Sequence, residues 1–218
     1  MIKLLLVDDH ELVRIGIRSL LAGIDGIEVM GEVNTGEEAL ALAHKTTPDV
    51  VLMDLKMPGI GGLEATRNLL EISPEIKVII VTVCDEDPFP SRLLQAGASG
   101  YLTKGCDLNE MVMAIRKVHS GQRYISPTIA QQLALKHLTT EPDAVSPFES
   151  LSDRELQVTL MITKGLKVQG ISEKLGLSTK TINTYRYRLF DKLKIEGDVE
   201  LTHLALRHNI LDKEDKKV

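Results

Sequence analysis

The sequence predicts an α/β fold built on a doubly wound, five-stranded parallel sheet, followed by an all-α unit of four helices. From residue 1 to about 120, short apolar runs alternate with amphipathic helical stretches. That is the pattern of βαβ units joined by right-handed crossovers. Beyond Leu151 every periodic segment reads as helix. Between the two lies Thr139-Thr140-Glu141-Pro142-Asp143-Ala144-Val145-Ser146-Pro147, polar, with two prolines and no periodicity, which marks a linker.

Strands are expected near 3–8, 28–32, 50–54, 77–82 and 99–102. Helices are expected over Glu11–Ala22, Gly36–Lys45, Gly62–Ile72, Asp87–Ala96 and Asp107–Ser120. The last of these opens on an acidic cap and sets Leu108, Met111, Val112, Ile115 and Val118 on one face. A short helix from Pro127 to Leu138 falls within a connecting segment, 121–147. In the helical unit, 148–211, Ser152 and Glu155 form a capping box, and Gly165 ends that helix. A second helix, Val168–Leu175, stops at Gly176. Ser178 caps a long third helix to about Lys194, and a fourth runs from Asp198 to His208. The tail, 212–218, is charged.

A chain of 218 residues with 43% apolar and 26% charged residues can bury a core without staples. The net charge of −5 hides an asymmetry. Residues 148–218 carry 13 Lys and Arg against 11 Asp and Glu, and the remainder 13 against 20. An acidic module joined to a mildly basic one implies different partners. The amino end is apolar for too few residues to make a signal peptide or a membrane span, and a cytoplasmic protein without membrane contact is expected. Cys84 and Cys106 form no metal-ligand grouping, so reduced thiols are expected.

The chemistry concentrates at strand ends. Asp8, Asp9 and Asp54 each stand just past an apolar run, and Lys104 follows another. In a parallel sheet these side chains converge at the carboxyl edge, where open α/β folds place their sites. Three carboxylates in one crevice repel one another unless a cation joins them. A hard divalent ion, Mg²⁺ first, suits oxygen ligands.

Residues 1–120 resemble the receiver domain of two-component response regulators, a flavodoxin-like fold. The resemblance implies that Asp8-Asp9 is the acidic pair and that Asp54, within Val51-Leu52-Met53-Asp54-Leu55-Lys56-Met57-Pro58-Gly59, is the phosphoacceptor. It implies Thr82 as the switch hydroxyl, Tyr101 as the switch aromatic and Lys104 as the ammonium. Asp9, Asp54 and the Lys56 carbonyl would ligate the metal, with Asp8 acting through water. Movement of Thr82 toward a phosphoryl group would let Tyr101 rotate inward. Gly105 stands where many receivers have proline, so a cis Lys–Pro bond cannot form.

Val168–Leu175 and Ser178–Lys194 form a helix-turn-helix candidate, and its second helix carries five Lys and Arg against one Asp. Ile182, Tyr185, Leu189 and Leu193 are expected to face the core. The opposite face would present Lys180, Asn183, Thr184, Arg186, Tyr187 and Arg188, with Thr181 beside them, to a major groove. This module resembles the LuxR/NarL-type DNA-binding domain. The resemblance implies base contacts from Asn183, Thr184 and Tyr187, and phosphate contacts from Lys180, Arg186 and Arg188. It also implies dimerisation through the last helix, with Val199, Leu201, Leu204 and Ala205 as contacts.

The segments Val81–Leu94 and Asn183–Arg188 resemble the GacA/UvrY group of such regulators. Membership would imply phosphate from a hybrid sensor histidine kinase of BarA/GacS type, homodimerisation on phosphorylation, and binding to promoter DNA. The genes controlled would be small RNAs that titrate a CsrA-type repressor. On this reading the chain is not an enzyme beyond catalysing its own phosphorylation and dephosphorylation. Two alternatives stay open. One is a Mg²⁺-dependent phosphatase of the haloacid dehalogenase type, although Lys56 stands where its second aspartate belongs. The other is a regulator that contacts proteins and never DNA.

Overall fold

A computed structural model describes residues 1–55, 57–82, 94, 96–131, 134 and 146–208. The chain divides into two compact units, Met1–Thr139 and Thr140–Val218. The first is a parallel sheet of β1 (Ile2–Val7), β2 (Ile27–Val33), β3 (Val50–Asp54), β4 (Lys77–Thr82), β5 (Gly100–Thr103) and β6 (Tyr124–Ile125), in the order β2-β1-β3-β4-β5-β6. Around it lie α1 (Glu11–Leu21), α2 (Gly36–Thr46), α3 (Gly61–Ile72) and α4 (Leu108–His119). The helix expected over Asp87–Ala96 falls largely outside the described residues.

The central strands are apolar on both faces because both faces are covered. Leu5, Val7, Val51, Met53, Val78 and Ile80 pack against Ala39, Ala43, Ala65 and Leu69 of α2 and α3. Their alternates Leu4, Leu6, Val50, Leu52, Ile79 and Val81 meet Leu21 of α1 and Met111, Ala114, Ile115 and Val118 of α4. Asp107 caps α4 as expected, its Oδ1 accepting from the Glu110 amide at 2.8 Å.

The sheet has six strands rather than five, and it runs past the boundary expected at residue 120. Tyr124 and Ile125 pair in parallel with Gly100 and Tyr101, and the Ser126 amide donates to the Tyr101 carbonyl at 2.9 Å. Two residues are too few to show a strand period in sequence. Their effect is to cover the β5 edge, which would otherwise expose unpaired backbone groups.

The second unit holds α5 (Asp153–Thr163), α6 (Val168–Leu175), α7 (Thr179–Leu193) and α8 (Asp198–Arg207), preceded by a single 3₁₀ turn, Pro147–Ser150. The capping box forms as read: the Ser152 hydroxyl accepts from the Glu155 amide, and Glu155 Oε2 accepts from the Ser152 amide at 2.7 Å. Gly176 ends α6 at φ +64°, and Ser178 caps α7. Phe148, Val158, Ile171, Ile182, Leu189, Leu201 and Ala205 are fully buried in this unit.

Glu155 is also buried, and its Oε2 accepts from Lys192 Nζ at 2.6 Å. Burial alone would raise the carboxyl pKa, but the bonds from Lys192 and Ser152 outweigh it and hold it below the ordinary value. A depressed carboxylate stabilises the fold above its unfolded pKa, and that contribution disappears as pH falls through the folded value. Glu155→Gln should therefore cost the helical unit about 2 kcal/mol at neutral pH, the scale of lost charged hydrogen bonds. The difference should shrink toward zero as pH falls below the ordinary carboxylate range and through the lowered folded value. Calorimetry of the full chain against pH measures both.

Candidate functional site

Strand register brings the acidic residues together. Val7 pairs with Met53, so Asp8 and Asp54 emerge side by side, while Thr82 pairs with Thr103, one residue before Lys104. Asp8 and Asp54 are buried, and Lys104 bridges them, its Nζ 2.8 Å from Asp8 Oδ2 and 3.0 Å from Asp54 Oδ2. Burial would lower the ammonium pKa, but the hydrogen bond to Asp8 and the Asp54 charge hold it above its ordinary value. The Lys104 amide also donates to the Thr82 carbonyl at 2.7 Å, which fixes the turn carrying the lysine without a proline.

Asp9 lies exposed at the rim with His10, a residue the sequence reading does not single out. His10 Nδ1 is 2.9 Å from Asp9 Oδ1 and 3.2 Å from Asp8 Oδ1, and the His10 amide donates to Asp8 Oδ1 at 2.8 Å. The signal was available, since a histidine at an N-cap directly after two aspartates must lie beside them. Ligand atoms of Asp8, Asp9, His10 and Asp54 all fall within 4.8 Å of one another. This oxygen-rich donor set suits a hard divalent cation. Lys56, whose carbonyl was expected as a ligand, lies outside the described residues.

Tyr101 is completely buried, among the apolar side chains that also include Ile80, Ala98 and Ile129. The expected inward rotation therefore meets a ring that is already inside. The physical reason is packing: the ring belongs to the same buried apolar cluster as Ile80, Ala98 and Ile129. Thr82 is likewise buried, at the end of β4.

Gly62 explains how the helix after β3 reaches so close. A Cβ there would stand 2.1 Å from the Asp54 carbonyl oxygen and 2.9 Å from the Leu55 Cα. Backbone cannot yield as a side-chain tip can. Gly62→Ala should destabilise the first unit by about 3 kcal/mol, at the upper end for overpacking, by pushing α3 off the end of β3. A thermal melt checks it.

In the helical unit, α7 presents Lys180, Thr184, Tyr187 and Arg188 to solvent, with Asn183 and Thr181 half-buried beside them. Thr181 Oγ1 lies 2.8 Å from the Ser178 hydroxyl, tying it to the cap. Ile182, Leu189 and Leu193 are buried as expected, and Tyr185 only half so. Arg186 departs from the expectation of a free, outward cation. Its Nε and Nη2 donate to Asp198 Oδ1 and Oδ2 at 2.8 and 2.6 Å. Two of the expected dimer contacts are also corrected. Leu201 and Ala205 are fully buried in the unit's own core and Leu204 is half-buried, whereas Val199 is 71% exposed. Helical spacing puts Thr202, His203 and Leu206 on the Val199 face.

The buried Asp8–Asp54–Lys104 group on a parallel sheet and the capped helix-turn-helix together define a class. The receiver domain of response regulators matches residues 4–116, and the luxR family of bacterial regulatory proteins matches residues 149–205. The chain belongs to the two-component response regulators with a LuxR-type output domain, and it is a phosphorylation-activated, DNA-binding transcriptional regulator. Among its relatives, the response regulator GacA of Pseudomonas aeruginosa is 63% identical over 97% of this chain and 99% of its own. UvrY of Escherichia coli is 58% identical over 98% of each chain. The crystal structure of the response regulator ChrA of a heme-sensing two-component system aligns over 96% of this chain and 98% of its own, at 28% identity and a TM-score of 0.54. Among the described residues no helix is long and apolar enough to cross a membrane.

Proposed function

We propose that Asp54 is the phosphoacceptor and that its phosphate comes from a hybrid sensor histidine kinase of BarA/GacS type. The observation that carries the acceptor assignment is the Lys104 ammonium held between two buried carboxylates at one sheet edge; likeness to chains named GacA and UvrY supports the kinase. An Asp54 carboxylate oxygen attacks phosphorus, an acyl phosphate forms, and the donor's leaving group departs. Asp8, Asp9 and Asp54 would hold Mg²⁺, which neutralises charge on the phosphoryl oxygens. Lys104 exchanges its bond to the Asp54 carboxylate for one to a phosphoryl oxygen, and Thr82 donates to another. The buried position of Tyr101 is the state that phosphorylation favours, so the switch acts by population. Water then hydrolyses the acyl phosphate, and no other substrate is turned over.

The output would be homodimerisation, with two α7 helices in successive major grooves of promoter DNA. Likeness to chains named GacA and UvrY supports targets that encode small RNAs titrating a CsrA-type repressor. It supports a cytoplasmic setting too. The test is incubation with a small acyl phosphate, with and without Mg²⁺. A mass gain of one phosphoryl group on the Asp54 peptide, dependent on Mg²⁺, is expected. Turnover of a phosphate ester instead would favour a hydrolase.

A further inference from the structure

The cations of α7 are of two kinds. Lys180 and Arg188 are exposed on the side away from the core. Arg186 lies about 40° around the helix from Ile182, at the edge of the buried arc that holds Ile182, Leu189 and Leu193. Its side chain is therefore directed along the body of the unit. The guanidinium fork meets both oxygens of Asp198, and its carbon lies 5.3 Å from the centre of the Phe190 ring. Asp198 is the first residue of α8, where a carboxylate is favoured by the helix dipole. Such bidentate pairs are the strongest and most directional of the charged contacts.

We propose that Arg186 is a positioning residue rather than a phosphate contact. Asp198 withholds its charge from DNA and fixes the recognition helix to the start of α8. Among the basic residues of α7, the footprint on DNA then excludes Arg186 and includes Lys180 and Arg188. The inference rests on α7 being the helix that meets DNA, and the two exposed cations test that separately.

The experiment is binding of the phosphorylated full-length protein to a labelled mixed-sequence duplex over about 50 to 200 mM salt, because this electrostatic contribution is independent of sequence. Each phosphate contact adds about 0.9 to the slope of log K against log salt. Arg186→Gln should weaken binding by a similar factor at every salt and leave the slope unchanged. Asp198→Asn should free the guanidinium and steepen the slope by up to about 0.9. In the Arg186→Gln background it should not, which separates release of Arg186 from simple loss of an acid. Lys180→Gln and Arg188→Gln should each flatten the slope. If Arg186→Gln flattens it as they do, or Asp198→Asn leaves it unchanged, the proposal is overturned. Should Lys180→Gln and Arg188→Gln both have no effect, the assignment of α7 fails and takes the proposal with it. If Arg186→Gln does not fold, Asp198→Asn decides alone.

Discussion

Asp54→Asn should abolish phosphoryl acceptance from both a kinase and a small acyl phosphate, while leaving the fold intact. An amide has no anionic oxygen to attack phosphorus, so the loss should be complete rather than graded. The stability effect runs the other way. Asp8 and Asp54 are both buried and share one ammonium, so the pair repels unless a divalent cation is present. Neutralising Asp54 leaves Lys104 paired with Asp8 alone. In metal-free buffer the variant should melt no lower than the wild type, and added Mg²⁺ should raise the melting temperature less. Mass spectrometry reads the first outcome and calorimetry with and without Mg²⁺ the second. A phosphorylated Asp54→Asn chain would move the acceptor to another residue.

Lys104→Met should have the largest effect on stability. It removes the ammonium from between two carboxylates whose side chains are 7% and 4% exposed, leaving like charges buried together. Breaking one partner out of a buried charged group costs about 3–5 kcal/mol. Part of this should return with Mg²⁺, which would neutralise the same carboxylates, and that return separates lost charge from lost packing. The pH dependence has a definite sign. A lysine held above its ordinary pKa stabilises the fold below the unfolded value of 10.5, and the contribution fades as pH rises through the folded value. Wild type and Lys104→Met should therefore differ widely at neutral pH and converge only in strong alkali. Denaturant titrations at several pH values measure the gap.

How much of this was legible in sequence depends on what each residue's role requires. Apolar runs ending in Asp8, Asp54 and Thr82 announce themselves, because a strand buried on both faces must be continuously hydrophobic. Ser152, Glu155, Gly176 and Ser178 announce helix ends through capping chemistry that is local. β6 could not be read, since Tyr124 and Ile125 acquire strand character only from pairing with β5. Nor could the burial of Tyr101, which depends on a cluster gathered from distant parts of the chain, Ile80 and Ile129 among them. Arg186 was misplaced for a different reason. Its charge suggested an outward cation, while its phase on the helix, one turn past Ile182, already set it toward the body of the unit. Leu201 and Ala205 follow the same rule: they lie opposite Val199, so α8 spends them on its own core.

A phosphate on Asp54 is proposed to control DNA binding by α7. Quantitative footprinting on genomic DNA tests it most directly, using full-length wild type and Asp54→Asn, each with and without a small acyl phosphate and Mg²⁺. The expected result is protection that tightens with phosphodonor for the wild type and stays weak for the variant. Equal protection by Asp54→Asn and the phosphorylated wild type would contradict it.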